Sequence, residues 1–202
     1  MSDAKQITGS LSYASRDDFR QVFDEDMKSL YLLSYLLTAD REKGEQCFVS
    51  GLEDAVEGNP VFKEWVRSWA RRVIIVNAVR AINPQPTERN GRSSSVPVSS
   101  NGKTTPMEQV EITAVLALDP FERFVYVITV LEHYSDQDCC LLLGCARRDV
   151  VDARARAFEK IGSAMASHSR QPPAANSEKP ASHERRSSLL DLLVGQCLAI
   201  SA

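Results

Sequence analysis

Apolar residues near the start of the chain recur at the spacing of an α-helix. They are Phe19, Phe23, Met27, Leu30 and Tyr31, and the pattern continues into the run LLSYLL. Aspartates favour the first positions of a helix, because their carboxylates accept hydrogen bonds from the free backbone amides there. The pattern therefore predicts a helix that runs through LLSYLL and is capped by Asp17 or Asp18.

Two more helices are predicted in the same part of the chain. One covers Glu42 to Val56 and ends at the breaker Gly58-Asn59-Pro60. The other covers Val61 to Ile82 and ends before Asn83-Pro84, because a residue that precedes proline disfavours the helical conformation. The run at Val73–Val76 is typical of a strand, but it lies inside a long amphipathic stretch. With no period-two alternation, the predicted fold class is all-α.

A helix-turn-helix pattern is predicted further along the chain. A helix from Pro120 to about His133 is followed by Ser135, which is suited to cap a short helix at Asp136–Leu143. Gly144 supplies a tight turn, and a longer helix from Arg147 to about Ile161 follows it. A short helix, a glycine turn and an arginine-rich helix are typical of DNA-binding helix-turn-helix units.

Composition divides the chain into two small helical domains and two polar segments. The predicted parts are a helical domain at 10–83, a linker at 84–106, a helix-turn-helix domain at 107–166 and a tail at 167–202. The linker is rich in Pro, Ser, Gly and Asn, which predicts a flexible tether. The tail is polar and ends in a short leucine-rich helix that packs back on a domain or docks onto a partner.

Charge and cysteine content limit the function. The formal net charge is −3, so any attraction to DNA must come from a local basic surface. The N-terminus lacks the pattern of a secretory signal, and no apolar run reaches the roughly 20 residues that span a bilayer. We therefore expect a cytoplasmic protein with no membrane partner, whose five cysteines are reduced.

Two helices carry local basic charge. The stretch 61–82 has five basic residues against Glu64, a net of +4, and it includes Trp65 and Trp69. Tryptophans stack bases of single-stranded DNA while arginines bind its phosphates. The alternative is that tryptophans four residues apart form a core ridge. The stretch 146–160 has a net of +2, and its arginines either contact duplex DNA or form a solvated face.

The stretch Ala117 to Ile161 resembles region 4 of the extracytoplasmic-function sigma factors of bacterial RNA polymerase. The motifs that carry the resemblance are Leu118-Asp119-Pro120, Glu122-Arg123-Phe124, Tyr134-Ser135 with Asp138, Leu143-Gly144-Cys145, Val150 and Arg156-Ala157. The family has Lys-Ser-Arg where this chain has Val151-Asp152-Ala153, and Ile-Ala where it has Cys139-Cys140. The resemblance implies that this unit binds the upstream promoter element.

The earlier helices resemble region 2 of the same family. Gly44 to Val49 corresponds to the family's helix that docks on the polymerase clamp, and Trp65 to Arg72, with Asn77 and Arg80, to its helix that holds the melted minus-ten strand. The resemblance implies three contact sets. They are Glu45 and Gln46 for polymerase, Lys63, Trp65, Arg67, Trp69, Arg71 and Arg72 for the melted strand, and Ser135, Arg147, Arg148, Arg154 and Arg156 for the upstream element.

These features together predict an alternative sigma factor whose partners are core RNA polymerase, promoter DNA and, in some settings, an anti-sigma factor. The substitution at Val151-Asp152-Ala153 favours an alternative, in which a degenerate sigma-like protein acts as a decoy through protein contacts. A third hypothesis is an unrelated helix-turn-helix regulator. The sequence lacks a glycine-rich phosphate loop, HExxH and GxSxG, so we do not expect an enzyme or a cofactor.

A metal site is not expected from the cysteines and histidines. His133, Cys139, Cys140 and Cys145 do not have the paired spacing of zinc ligands, and adjacent helical residues point about 100° apart. These cysteines are better interpreted as small hydrophobic residues of the core.

Overall fold

The computed structural model describes residues 12–86 and 107–169, with side chains described from 110 to 167 in the second range. The helices are α1 (Arg16–Glu25), α2 (Met27–Thr38), α3 (Arg41–Glu57), α4 (Val66–Ile82), α5 (Met107–Leu116), α6 (Pro120–Tyr126), α7 (Asp136–Leu143) and α8 (Arg147–Ser169), with a 3₁₀ turn at Lys63–Trp65 and a π-helical turn at Val127–Leu131. The all-α class is confirmed for these residues. Most of the predicted linker, 87–106, and the tail after residue 169 lie outside them.

The first predicted helix is in fact two helices. α1 ends at Glu25 and α2 begins at Met27, with Asp26 between them. The prediction that Asp17 or Asp18 caps α1 was wrong, because Ser15 is the N-cap. The Ser15 hydroxyl accepts a hydrogen bond from the Asp18 amide at 3.2 Å, and the Asp18 carboxylate accepts one from the Ser15 amide at 2.7 Å. This reciprocal pair is a capping box.

α3 lies close to both α2 and α4, and two glycines allow this approach. A Cβ atom on Gly44 would lie 3.3 Å from the Tyr35 Cα, and one on Gly51 would lie 3.2 Å from the Ile74 Cγ1. Asp40 caps α3 by accepting from the Lys43 amide at 2.9 Å. The predicted bounds of this helix are confirmed to within one residue at each end.

The third predicted helix begins five residues later than expected. Val61 and Phe62 are extended, because they pair with the chain before α1. The Ala14 amide donates to the Val61 carbonyl at 2.7 Å, and the Lys63 amide donates to the Ser12 carbonyl at 3.0 Å. The strand-like run at Val73–Val76 is helical, as predicted, and contributes to the core.

α6 is buried on all sides and ends earlier than predicted. Its residues from Phe121 to Tyr126 are buried, and the π-helical turn then widens the helix. His133 adopts a left-handed conformation with φ 58°, which ends the predicted Pro120–His133 helix before that residue. α7 has the predicted bounds, whereas α8 extends beyond Ile161 to Ser169.

The first segment, residues 12–86, and the second segment, residues 107–169, pack against each other through their helices. α2 contacts α5, α6 and the π-helical turn, and α4 contacts α7, so buried residues of both segments belong to one core. In the described parts of the chain, no helix is both long and apolar enough to cross a bilayer.

Candidate nucleic-acid interface

The turn between α7 and α8 is a helix C-cap of the Schellman type. The amides of Gly144 and Cys145 both donate to the Cys140 carbonyl, and Gly144 adopts a left-handed conformation with φ 64°. At the other end of α7, the predicted cap is present, because the Ser135 hydroxyl accepts from the Asp138 amide at 3.1 Å. The predicted order of a short helix, a glycine turn and a longer helix is therefore present in α7, this turn and α8, and Ser135 caps α7.

Two arginines at the start of α8 extend into solvent. The Arg147 side chain is 79% exposed and lies 3.7 Å from an Asp136 carboxylate oxygen, and Arg148 is exposed beside it. Guanidinium groups bind phosphates and the acceptor edge of guanine, so this end of the helix suits a nucleic-acid contact.

The later basic residues of α8 point back into the protein. Arg154 binds Asp136 at 2.5 Å, and this is the main cause that lowers the Asp136 pKa. Arg156 binds Glu122 at 2.8 Å, and Lys160 binds the same carboxylate at 2.7 Å. Glu122 is only 3% exposed, so two cations of α8 neutralise a buried charge on α6. Arg154 and Arg156 are thus engaged within the fold.

The outward face of α8 beyond its first turn carries an apolar stripe beside the exposed Glu159 and Lys160. Val151 and Phe158 are 42% and 51% exposed, and Ala155 is exposed between them. Phe158 packs edge-on against the Tyr126 ring at 5.7 Å. Ala153, which stands where the resembled family has a basic residue, is fully buried, so a long charged side chain would not fit there. The spacing of Val151 and Phe158 could have indicated this face in the sequence.

Two basic side chains near the start of α4, Lys63 and Arg67, form ion pairs with acidic residues in α1 and at its C-terminal end. Lys63 binds Asp18 at 3.2 Å, and Arg67 binds both Glu25 and Asp26. The Arg67 pKa is raised, with the hydrogen bond to Asp26 as the largest cause. These pairs are solvent-exposed, and exposed pairs contribute no more than about 1 kcal/mol, so they exchange readily for phosphate.

Arg71 makes a stronger contact that joins the two segments. Its guanidinium donates to both carboxylate oxygens of Glu132, at 2.5 and 2.6 Å, and to the Ser29 hydroxyl at 3.0 Å. Glu132 is 7% exposed and follows the π-helical turn, which places it opposite α4. Arg72 lies beside Tyr134. Burial raises the pKa of Tyr134, and the positive charge of Arg72 partly offsets this effect by lowering it. Both predicted strand contacts therefore face the second segment.

The two tryptophans have different environments. Trp65 is 57% exposed and belongs to an aromatic ladder, with Phe62 edge-on at 5.4 Å and Tyr13 stacked on Phe62 at 4.8 Å. Trp69 is half-buried against the core, and its buried Nε1 has no hydrogen-bond partner among the described residues. The core-ridge interpretation is wrong for Trp65 and partly right for Trp69. Nothing in the sequence signals Tyr13 as a neighbour.

The predicted polymerase contacts lie on an exposed face of α3. Glu45 and Gln46 are exposed, and Val49, one turn further on, is 48% exposed. Glu42 and Glu53 continue the same exposed face at helical spacing. This face is acidic with one apolar residue at its centre.

The cysteines occupy two kinds of environment. Cys47 and Cys139 are buried, and burial raises the pKa of Cys139 to about 12, so both are the small core hydrophobes that the sequence predicts for Cys139. Cys140 and Cys145 are half-buried beside the α7–α8 turn. Within residues 12–86 and 107–169, no group of three or more His, Cys, Asp or Glu side chains is arranged to hold a metal ion.

Compared with protein-family models, curated proteins and solved structures, the chain has no significant match to any of them.

Proposed function

We propose that this protein is an alternative sigma factor, similar to the extracytoplasmic-function type. In this proposal its first segment binds the polymerase clamp and the melted minus-ten strand, and its second segment binds the upstream promoter element and the polymerase flap. The observation that carries the proposal is the pair of solvent-exposed guanidinium groups, Arg147 and Arg148, at the start of the second helix of a capped helix-turn-helix unit.

The first segment supports the proposal through two exposed surfaces. The α3 face with Glu45 and Gln46 is free to bind a basic groove of the polymerase. The region around Trp65 offers an exposed ring, and Lys63 and Arg67, whose side chains are more than half exposed, pair with carboxylates at the surface that phosphate can replace.

The proposal requires the two segments to separate. Arg71 binds the buried Glu132, and Arg72 lies beside Tyr134, so neither side chain reaches a DNA strand in the arrangement described. Polymerase binding would supply the free energy for opening, because it favours the open state over the closed one. In this proposal, the predicted division into two domains belongs to that open state.

The direct test is run-off transcription with purified core RNA polymerase, with and without the protein, on a fragment library of the host genome. The expected result is a set of discrete transcripts that share upstream sequences. The variant Arg147→Ala/Arg148→Ala is expected to weaken binding to the upstream element about tenfold or more, since a bidentate base contact contributes about 1–3 kcal/mol.

A matched control is Arg16→Ala/Arg20→Ala, which removes the same charge from the exposed surface of α1. It should leave promoter selectivity unchanged. If the α8 double variant retains the selectivity of the natural chain, the site assignment is wrong. If the protein yields no transcripts and does not bind DNA, the sigma proposal is wrong.

A second candidate function is that of a decoy that binds polymerase or an anti-sigma factor. Two observations favour it: Arg154 and Arg156 are paired within the protein, and the outward face of α8 has the apolar residues Val151 and Phe158. Salt dependence separates the two candidates. A promoter binder loses affinity steeply as salt rises, because it releases counterions from phosphates, whereas a decoy binds DNA weakly at any salt concentration. A decoy would also suppress transcription that is driven by another sigma factor.

A further inference from the structure

The C-cap of α7 brings two cysteines together. The Cys145 amide donates to the Cys140 carbonyl at 3.2 Å, across Gly144. In a Schellman turn the side chains at these two positions commonly contact each other. Here both side chains are thiols, and the neighbouring Cys140 thiol, after burial, contributes to the raised pKa of Cys145.

The two thiols differ in their access to solvent-borne reagents. Cys140 lines an open groove together with Ser135, Asp136 and Arg147, whereas Cys139 next to it is fully buried. The Arg147 guanidinium and the Asp136 carboxylate both lie at this groove. Burial raises the pKa of Cys145 to about 11, so Cys145 is a protonated thiol at neutral pH. Because Cys140 lines the groove and Cys145 does not, an oxidant reaches Cys140 first.

We propose that Cys140 and Cys145 are an oxidant-modifiable pair that forms an intramolecular disulfide on reaction with a hydroperoxide. The Cys140 thiolate attacks a peroxide oxygen and becomes a sulfenic acid, while the O–O bond breaks and hydroxide leaves. The Cys145 sulfur then attacks the Cys140 sulfur, and the sulfenic hydroxyl leaves with the Cys145 proton as water. The two sulfurs lose two electrons in total, and the peroxide gains them.

The experiment uses the full chain with Cys139→Ala, because tryptic cleavage after Arg123 and Arg147 then yields a peptide, 124–147, with only Cys140 and Cys145. The folded protein is treated with stoichiometric hydrogen peroxide, blocked with iodoacetamide and digested. The expected peptide carries no alkyl groups and is two hydrogen atoms lighter than the reduced peptide, and dithiothreitol restores both alkylation sites. Fragmentation of the same peptide from the natural chain checks that Cys139 takes no part.

The matched variant is Cys139→Ala/Cys145→Ser. Without its partner thiol, Cys140 should accumulate as a sulfenic acid that dimedone traps. Three outcomes would overturn the proposal. They are two fully alkylated cysteines after peroxide, a disulfide that forms only when the protein is unfolded in urea, and a disulfide that joins two chains. The first outcome would leave the thiol contact as hydrophobic packing of the turn.

Discussion

Arg123 is a buried cation that binds backbone oxygens of both segments. Its guanidinium donates to the carbonyls of Leu37, Thr38, Leu116 and Leu118 at 2.9–3.4 Å. These carbonyls lie at or just beyond the C-terminal ends of α2 and α5, where backbone oxygens lack partners within the helix and the helix dipole is negative. Burial lowers the pKa of Arg123 to about 10, so the group remains charged at neutral pH. One side chain thus supplies hydrogen-bond donors to the free backbone carbonyls at the ends of two helices.

Trp69 is the residue at which a polar group is buried without compensation. Its buried indole N–H has no partner among the described residues, and such a group costs about 1–3 kcal/mol. We expect Trp69→Phe to change the free energy of unfolding by less than about 1 kcal/mol, because the loss of ring contacts and the removal of the N–H offset each other. Trp69→Ala should lose about 2 kcal/mol, since the side chain is half-buried. Urea denaturation measures both values.

The Phe variant is the informative one. A loss above about 2 kcal/mol in Trp69→Phe would mean that the indole N–H does have an acceptor, and the two variants would then be nearly equal in stability.

At the scale of elements, the ends of the helices decide where functional side chains lie. The Ser15 cap ends the extended segment that pairs with Phe62, and this pairing assembles the aromatic ladder around Trp65. The π-helical turn displaces the chain after α6 so that Glu132 reaches Arg71. The Gly144 turn presents Arg147 at the start of α8. Each of these features is formed by residues close together in sequence, but each determines where a side chain lies relative to residues far away along the chain.

The capping box of α1 gives a pH-dependent contribution to stability. Hydrogen bonds lower the Asp18 pKa from 3.8 to about 2. The largest effect comes from the Ser15 amide, and smaller ones come from the Ser15 hydroxyl and from Lys63. Because the folded-state pKa lies below the unfolded value, the contribution is fully present above pH 3.8 and is lost as the pH falls towards 2. At neutral pH, Asp18→Asn should therefore melt a few degrees below the natural chain, and the two melting temperatures should converge as the pH falls through this window.

The control for this prediction is Asp17→Asn, which removes the same charge from the same helical turn but not from the capping box. Thermal melts monitored by circular dichroism at several pH values would compare the three chains. Equal effects of the two substitutions at every pH would mean that the helix dipole, and not the box, stabilises α1.

At the scale of the whole molecule, the described arrangement is closed. The Arg71–Glu132 pair and the Arg123 contacts join the two segments, and α4 also contacts α7. In this closed arrangement the Arg71 guanidinium binds Glu132 and is not available to bind DNA. Binding of polymerase or of a partner would then compete directly with contacts within the protein, which makes the interface between the segments a point of control over the proposed activity.

Release of Arg71 is testable with Glu132→Gln. The substitution keeps the shape of the side chain but removes the charge that holds the guanidinium, so we expect the affinity for a labelled single-stranded oligonucleotide to rise about threefold or more at low salt. Fluorescence anisotropy measures this affinity. Some loss of stability, about 1–2 kcal/mol, should accompany it, because Arg71 is partly exposed and is solvated once released.

The control is Glu53→Gln, which makes the same charge change on the exposed face of α3. It should give at most a small gain that reflects net charge alone. Addition of Arg71→Gln to Glu132→Gln should abolish the specific gain. If the two single variants gain equally, Arg71 does not contact DNA.

Much of the secondary structure follows from local sequence. The bounds of α3 and α7, the Ser135 cap and the left-handed Gly144 turn were all predicted, because helical periodicity, capping and turn conformation depend on residues within a few positions of each other. The cap at Ser15 is also local, since its partner Asp18 lies three positions away, although the prediction placed the cap at Asp17 or Asp18. The extended Phe62 has a different origin, because it pairs with Tyr13, which is remote in sequence.

By itself, therefore, the sequence determined the all-α class, the order of α7, a glycine turn and α8, and the position of Arg147 and Arg148 at the start of α8. Only the tertiary structure decided which basic side chains are paired within the protein and which are available to bind another molecule. Arg71, Arg154 and Arg156 have the same charge as Arg147, but packing places a carboxylate at 2.5–2.8 Å from each of them, whereas Arg147 lies 3.7 Å from Asp136 and stays 79% exposed. The physical reason is that backbone conformation is set by neighbours along the chain, whereas the partner of a long charged side chain depends on which helices fold against it.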